Sequence, residues 1–225
     1  MRRLAAIMVL LCVAVTGHAR DGMDIYFVRH AETLSNASRV NNSENSNTFS
    51  AKGIEQITTL TGKLKRMHFD AILVSSVPRA INTILPYLKE TGQKAEIWPE
   101  VAECCWQHDR GDITAGKLIL TSKIQLSAEQ EAYFSFRDTN SANNYGNDSY
   151  ADGVAHVRHA EDLLKQRYFG SGKTVLIVGH YHSGDVLLSD LLGIPFDELP
   201  SLRNAQLAHL HQGDDGRFTL VSINE

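Results

Sequence analysis

Cysteine is scarce in this chain: three of 225 residues, at positions 12, 104 and 105. Cys12 sits in an apolar leader, which leaves Cys104 and Cys105. Sequence neighbours form a strained disulfide at best, so no disulfide framework holds the fold, and the pair is expected as small buried thiols. Beyond the leader there is no long apolar run, which excludes a spanning helix there. Neither a P-loop nor a G-x-G-x-x-G dinucleotide loop occurs. Excess positive charge is missing too: 22 Lys and Arg face 26 Asp and Glu, a net charge of −4. An acidic chain is a poor partner for nucleic acid or an anionic membrane surface. His180 and His182, and His209 and His211, would share strand faces, but carboxylate and thiolate partners at metal-like spacing are absent. No metal and no cofactor is expected.

What the N-terminus does have is the pattern of an exported protein. "MRRLAAIMVLLCVAVTGHARDG" combines Arg2 and Arg3, an apolar stretch from Leu4 to Val15, and the small residues Gly17 and Ala19. It reads as a secretory signal peptide over residues 1–19, with an uncleaved anchor or a lipidated Cys12 as alternatives. Cleavage would remove Arg2 and Arg3 and shift the net charge from −4 to −6. The expectation is a secreted or periplasmic protein, free of the membrane after cleavage, with residues 20–225 forming one domain. Oligomeric state is not legible.

Hydrophobic periodicity alternates strand and helix. "MDIYFV", "DAILVSS", "AEIWP" and "TVLIVG" read as strands, with two more near "AQLAHL" and "FTLVSI". Helices are expected over "AKGIEQITTLTGKLKRM", with Ile54, Ile57, Leu60 and Leu64 on one face, from Pro78 to about Thr91, and over 151–169 and 183–192. Residues 29–50 read as a long polar loop. The 100–150 stretch reads as an irregular, partly helical insertion near the site, with one helix over "SAEQEAYFSF". The alternation predicts an α/β fold, a three-layer α/β/α sandwich around a mostly parallel sheet.

The pentapeptide "VRHAE" occurs twice, at Val28–Glu32 and Val157–Glu161. The second copy lies in a helical pattern whose apolar face is Val154, Val157, Ala160, Leu164 and Tyr168. His159 points well away from that face and from Arg158, as on a solvated helix surface. The first copy directly follows a strand. Ligand sites in parallel sheets lie beyond the carboxyl ends of strands. Arg29 and His30 stand there, Arg79 follows the second strand, and His180 follows "TVLIVG". Three strands thus bring four basic side chains towards one edge of an acidic protein.

In order, "VRHAETLSN", "SAKGIEQ", "FDAILVSSVPRAINT", "VAE" and "VLIVGHYHSG" resemble the motifs of the histidine phosphatase superfamily, the phosphoglycerate-mutase-like fold. The resemblance runs from Asp24 to Gly193 and thins between Trp106 and Tyr150. It implies His30 as a nucleophile that becomes a phosphohistidine. It implies Arg29, Arg79 and a His180 that is cationic beside a dianion as a phosphate clamp, and Glu103 as the proton donor, with Glu100 and Asp109 as nearby rivals. Asn36 falls at a substrate-contacting position, though a turn role is open in so Asn-rich a loop. Tyr181, beside His180, is a further substrate-binding candidate. The family's usual Arg-His-Gly is Arg29-His30-Ala31 here, which asks for a backbone without positive φ. The mutases' further sequence between the acid and the second His has no counterpart. The expectation is therefore an exported phosphomonoesterase acting on a small phosphorylated substrate or a phosphorylated envelope glycan. A mutase-like phosphotransferase and a silent phosphate-binding protein are the alternatives.

Overall fold

The computed structural model describes residues 22–107, 109–195 and 198–225. The expected signal peptide lies outside them. No helix among the described residues is long and apolar enough to cross a membrane. The elements run β1 (Asp24–Arg29), α1 (Leu34–Ser38), α2 (Ala51–Leu64), β2 (Ala71–Val74), α3 (Pro78–Thr91), β3 (Ala95–Ile97), β4 (Leu120–Lys123), α4 (Ala128–Glu131) and β5 (Phe134–Phe136). They continue with β6 (Asn143–Tyr145), α5 (Tyr150–Tyr168), β7 (Thr174–Gly179), α6 (His182–Leu192), β8 (Leu207–Gln212) and β9 (Phe218–Ile223).

Seven strands form one sheet in the order β5-β3-β2-β7-β1-β8-β9. The pairings from β5 through β1 are parallel; β8 and β9 add antiparallel at the other edge. Period-2 alternation sends neighbouring side chains to opposite faces. Ile25, Phe27, Leu73, Val175 and Ile177 enter one core, which α5 closes with Val157, Ala160 and Leu164, and α6 with Leu187 and Leu188. Val28, Ile72, Val74, Leu176 and Val178 enter the other, closed by α2 with Leu60 and Leu64, and α3 with Ile81, Ile84 and Leu88. Each fully buried side chain of this size contributes on the order of 1.5–3 kcal/mol. The result is the expected three-layer α/β/α sandwich around a mostly parallel sheet.

Four local expectations are corrected. The helix over "SAEQEAYFSF" stops at Glu131, and Phe134–Phe136 pairs with β3 as a parallel edge strand. Burying Phe134 and covering the open edge of β3 outweighs one further helical turn. Ile54 is 60% exposed; the apolar face of α2 is carried by Ile57, Leu60 and Leu64. The polar loop after β1 contains α1, capped reciprocally by Thr33 and Asn36. Cys104 and Cys105 are joined by a disulfide rather than being free thiols. Cys105 takes a left-handed backbone, φ 67°, and the pair packs on Gly153 of α5, where a Cβ would come within 2.9 Å of both side chains.

A second close approach sets up the site. The Phe27 ring of β1 lies against Gly179 and Gly184; a Cβ at either would come within 2.8 Å of it. The glycines let the end of β7 and the start of α6 close onto β1.

Candidate active site

β1 and β7 run parallel with Arg29 opposite Gly179, so His30 and His180 leave adjacent strands side by side. The His30 amide donates to the Gly179 carbonyl (2.9 Å), and the two imidazole rings lie 5.2 Å apart. β2 flanks β7 on its other side and delivers Ser75; α3 then carries Arg79 back over the strand ends.

His30 is buried and its ring orientation is fixed. Nδ1 lies 2.8 Å from the Ala31 carbonyl oxygen. A carbonyl only accepts, so Nδ1 holds the proton and Nε2 the lone pair. Arg79 Nε donates to Nε2 at 3.1 Å. Burial first, then the charge of Arg79, lowers the His30 pKa to about 3. The peptide beside it is tied down: the Ala31 amide donates to Thr83 Oγ1, and Asn204 Nδ2 donates to the His30 carbonyl. Ala31 is buried without a positive φ, so the departure from glycine costs nothing here.

His180 is wholly buried, and Nε2 lies 2.7 Å from Ser75 Oγ. Ser75 Oγ also accepts from the Val77 amide. The serine proton is then best used towards His180 Nε2, which leaves Nδ1–H as a donor. In the opposite tautomer the buried serine hydroxyl would have no acceptor, at a cost of about 1–3 kcal/mol. His180 Nδ1 has no partner among the described residues. In the free site burial, then Arg79, His30 and Arg29, push its pKa well below the usual imidazole value; the expected cationic form belongs to the site with a dianion bound. It can donate to a phosphate oxygen while neutral.

Arg29 Nη1 donates to the Leu202 carbonyl (3.1 Å), and its guanidinium lies 4.9 Å from the centre of the Tyr181 ring. Its Nε is buried and unpartnered among the described residues. The Tyr181 hydroxyl is 3.1 Å from Ser201 Oγ. Tyr181 therefore braces Arg29 as well as lining the cavity. Arg29 Nε and His180 Nδ1 are two buried donors of the kind an oxyanion satisfies.

Glu103 accepts from the backbone amides of His182 (3.1 Å) and Ser183 (3.4 Å) at the start of α6. Its other oxygen is 3.9 Å from Arg79 Nη2. Burial pushes its pKa up, but the His182 hydrogen bond and charge, then Arg79 and His30, outweigh this and hold it below the usual value. The rivals separate in space. Glu100 is buried and paired with Arg137 at 2.6 Å, and Asp109 is exposed and does not line the catalytic cavity. Asn36 takes the turn role, its Oδ1 accepting from Thr33 within the capping box, and the residue also lines the cavity. That cavity, of about 430 Å³, brings Arg29, His30, Asn36, Arg79, Glu103 and Tyr181 together.

One donor atom each from His30, His180 and Glu103 lies within 4.8 Å of the others, close enough to grip a cation. Arg79 already occupies the His30 Nε2 lone pair, and two guanidiniums make an anion the better fit.

The second pentapeptide lies elsewhere. Arg158 pairs with Asp190 and Glu161 with Lys165 on the outside of α5.

The sequence reading missed Ser75, Thr83, Trp106 and Asp185 and weighed His182 only as a metal ligand. Ser75 carried a signal, a polar residue at the carboxyl end of a strand. Asp185, whose pKa burial raises to about 6, carried none.

The chain matches the model of the histidine phosphatase superfamily (branch 1) over residues 25–225 and belongs to that family. Its fold is that of phosphoglycerate-mutase-like proteins. The alpha-ribazole phosphatase of Shigella flexneri is similar at 20% identity and a TM-score of 0.63, covering 90% of this chain and 96% of that one. A mycobacterial glucosyl-3-phosphoglycerate phosphatase is similar at 20% identity and 0.61, covering 89% and 98%. The phosphoglycerate mutase of Bacillus anthracis is similar at 18% identity and 0.57, covering 92% and 95%. No curated protein matches the sequence significantly.

Proposed function

We propose that this chain is an exported phosphomonoesterase working through a phosphohistidine on His30. The observation that carries the reading is the His30 ring. It is neutral, its lone pair is fixed on Nε2, it shares the cavity with Arg29, Arg79 and Glu103, and the wholly buried His180 ring lies beside it.

Phosphoryl transfer depends chiefly on positioning and charge neutralisation. An arriving phosphate draws the Arg79 guanidinium onto its oxygens and frees the Nε2 lone pair. Nε2 then bonds to phosphorus as the bond to the leaving oxygen breaks, and Glu103 gives that oxygen a proton. Water then attacks phosphorus as the P–Nε2 bond breaks and its electron pair returns to His30, Glu103 takes the water's proton, and phosphate leaves. The free carboxyl is ionised, but a phosphate dianion beside it raises its pKa, so Glu103 takes up a proton from solvent as substrate binds.

The lack of the mutases' further sequence between Glu103 and His180 supports hydrolysis over mutase action, and the leader sequence supports export. The partner is a small phosphorylated substrate or a phosphorylated envelope glycan. The test is phosphate release from a small aryl phosphate without added metal. Loss of activity in excess chelator, restored by Zn²⁺ or Mg²⁺, overturns the mechanism.

A further inference from the structure

A second cavity, of about 440 Å³, adjoins the catalytic one. Trp106, Tyr181 and His182 line both, so the two are parts of one cleft. We infer that this second cavity receives the alcohol half of the substrate, and that this half is an uncharged sugar ring. The inference rests on the phosphatase reading and names its substrate class.

Three observations point to that occupant. The first is Trp106, 49% exposed at the junction and without a stacking or hydrogen-bond partner among the described residues. A bare indole face at a cavity mouth suits a flat ligand surface with an apolar face. The second is the polar chemistry of the wall. Gln107 donates through Nε2 to the Asn147 carbonyl, while its Oε1 is buried and unpartnered among the described residues. Asp185 adds a carboxyl on the same cavity. Gln107 Oε1 lies beneath the surface, so the Asp185 carboxyl is the acceptor this wall presents; a ligand there must bring donors, and sugar hydroxyls are donors on the rim of a ring whose faces are largely C–H. Burial raises the Asp185 carboxyl to about 6, so near neutrality it is largely ionised and accepts from hydroxyls as a carboxylate.

The third observation is charge balance. Asp185 and Glu103 oppose a second anionic group on the ligand. Arg29, at the catalytic end of the cleft, opposes an ammonium group. A neutral alcohol meets repulsion from neither sign, and a zwitterion is the competing occupant that O-phosphoserine tests. The volume lies within the range of small-molecule sites and exceeds the needs of a three-carbon alcohol.

The experiment compares kcat/KM for glucose 6-phosphate, glycerol 3-phosphate, O-phosphoserine and adenosine 5′-monophosphate. Glucose 6-phosphate should exceed each of the others by about tenfold or more, since its ring can stack on Trp106 while its hydroxyls donate to Asp185. Trp106→Ala should cut the preference for glucose 6-phosphate over glycerol 3-phosphate at least about fivefold, mainly through KM, and Trp106→Phe should keep most of it. No preference for the sugar, a preference that Trp106→Ala leaves intact, or selection of the nucleotide or phosphoserine overturns the inference. Calorimetric binding of the same four compounds to His30→Ala separates it from its parent. Absence of turnover with every phosphomonoester sinks the phosphatase reading. Equal binding of the sugar and glycerol phosphates sinks the subsite.

Discussion

Glu103→Gln gives the sharpest test of the proposed chemistry. Glu103 is held by the amides of His182 and Ser183. A glutamine Oε1 accepts from both in the same way, so the substitution removes a transferable proton and a charge while keeping the geometry. A sugar alkoxide is a poor leaving group and needs the proton. Its phosphoryl transfer to His30 should slow about 10²–10⁴-fold, the scale of general acid catalysis, or roughly 3–5 kcal/mol at 1.36 kcal/mol per decade. A nitrophenolate leaves almost unaided, so its transfer should slow by about tenfold at most. Loss of the carboxylate also removes a negative neighbour of Arg79 and of the bound dianion. Product phosphate should therefore bind more tightly to the variant. Single-turnover kinetics with acid-quench trapping reads all of this. Phosphohistidine should accumulate with the aryl substrate, because the same carboxyl is missing when water must be activated. Equal slowing of both substrates with no trapped intermediate refutes the assignment. Asp185, on the adjoining wall and at about 6, would then be the carboxyl to test.

Three further outcomes are expected. His30 is held neutral with a pKa of about 3, so its own protonation should not produce an acid limb near 6.5, and pre-steady-state phosphorylation should persist to pH 5. Because the folded pKa lies below the unfolded value of about 6.5, the unfolded chain binds the extra proton. His30 thus contributes stability that is full above that value and is lost as pH falls towards 3; His30→Gln should flatten this acid slope in urea titrations, and an unchanged slope contradicts the burial argument. Ser75→Ala removes the group that selects the His180 tautomer and should lower kcat/KM about 5–30-fold, the equivalent of 1–2 kcal/mol. Ser75→Thr should recover much of it, and ¹⁵N imidazole shifts should report a tautomer change only in the alanine variant. His159→Ala, on the outer side of α5, should stay within about threefold of wild type in kcat/KM; a hundredfold drop would place the site on the wrong pentapeptide.

Period-2 and helical patterns carried most of the architecture, because strands buried on both faces leave short continuous apolar runs. "AILV" and "TVLIVG" could hardly be anything but central strands. The edge strand Phe134–Phe136 was not legible, since its stability comes from an open edge of β3 that only the folded sheet provides. Arg29, His30, Arg79 and His180 were legible because each follows a strand whose direction fixes where it ends. Ser75 and Asp185 were not singled out. Their roles depend on a hydrogen bond across 105 positions in one case and on burial at a cavity wall in the other.

The two pentapeptides make the same point within one chain. Local propensity is identical for both, so nothing inside "VRHAE" decides between them. In the second copy, Val157 and Ala160 are buried at the spacing of a helical face, which turns Arg158 and Glu161 outward to Asp190 and Lys165. In the first, "DIYF" commits Val28 to the opposite core from Phe27, so the chain leaves the sheet at Arg29 beside Gly179. Once there, His30 has lost its water, gained two guanidiniums and surrendered one nitrogen to a carbonyl. Its lone pair follows from that environment. The pentapeptide supplies the imidazole, and the strand before it makes the imidazole a candidate nucleophile.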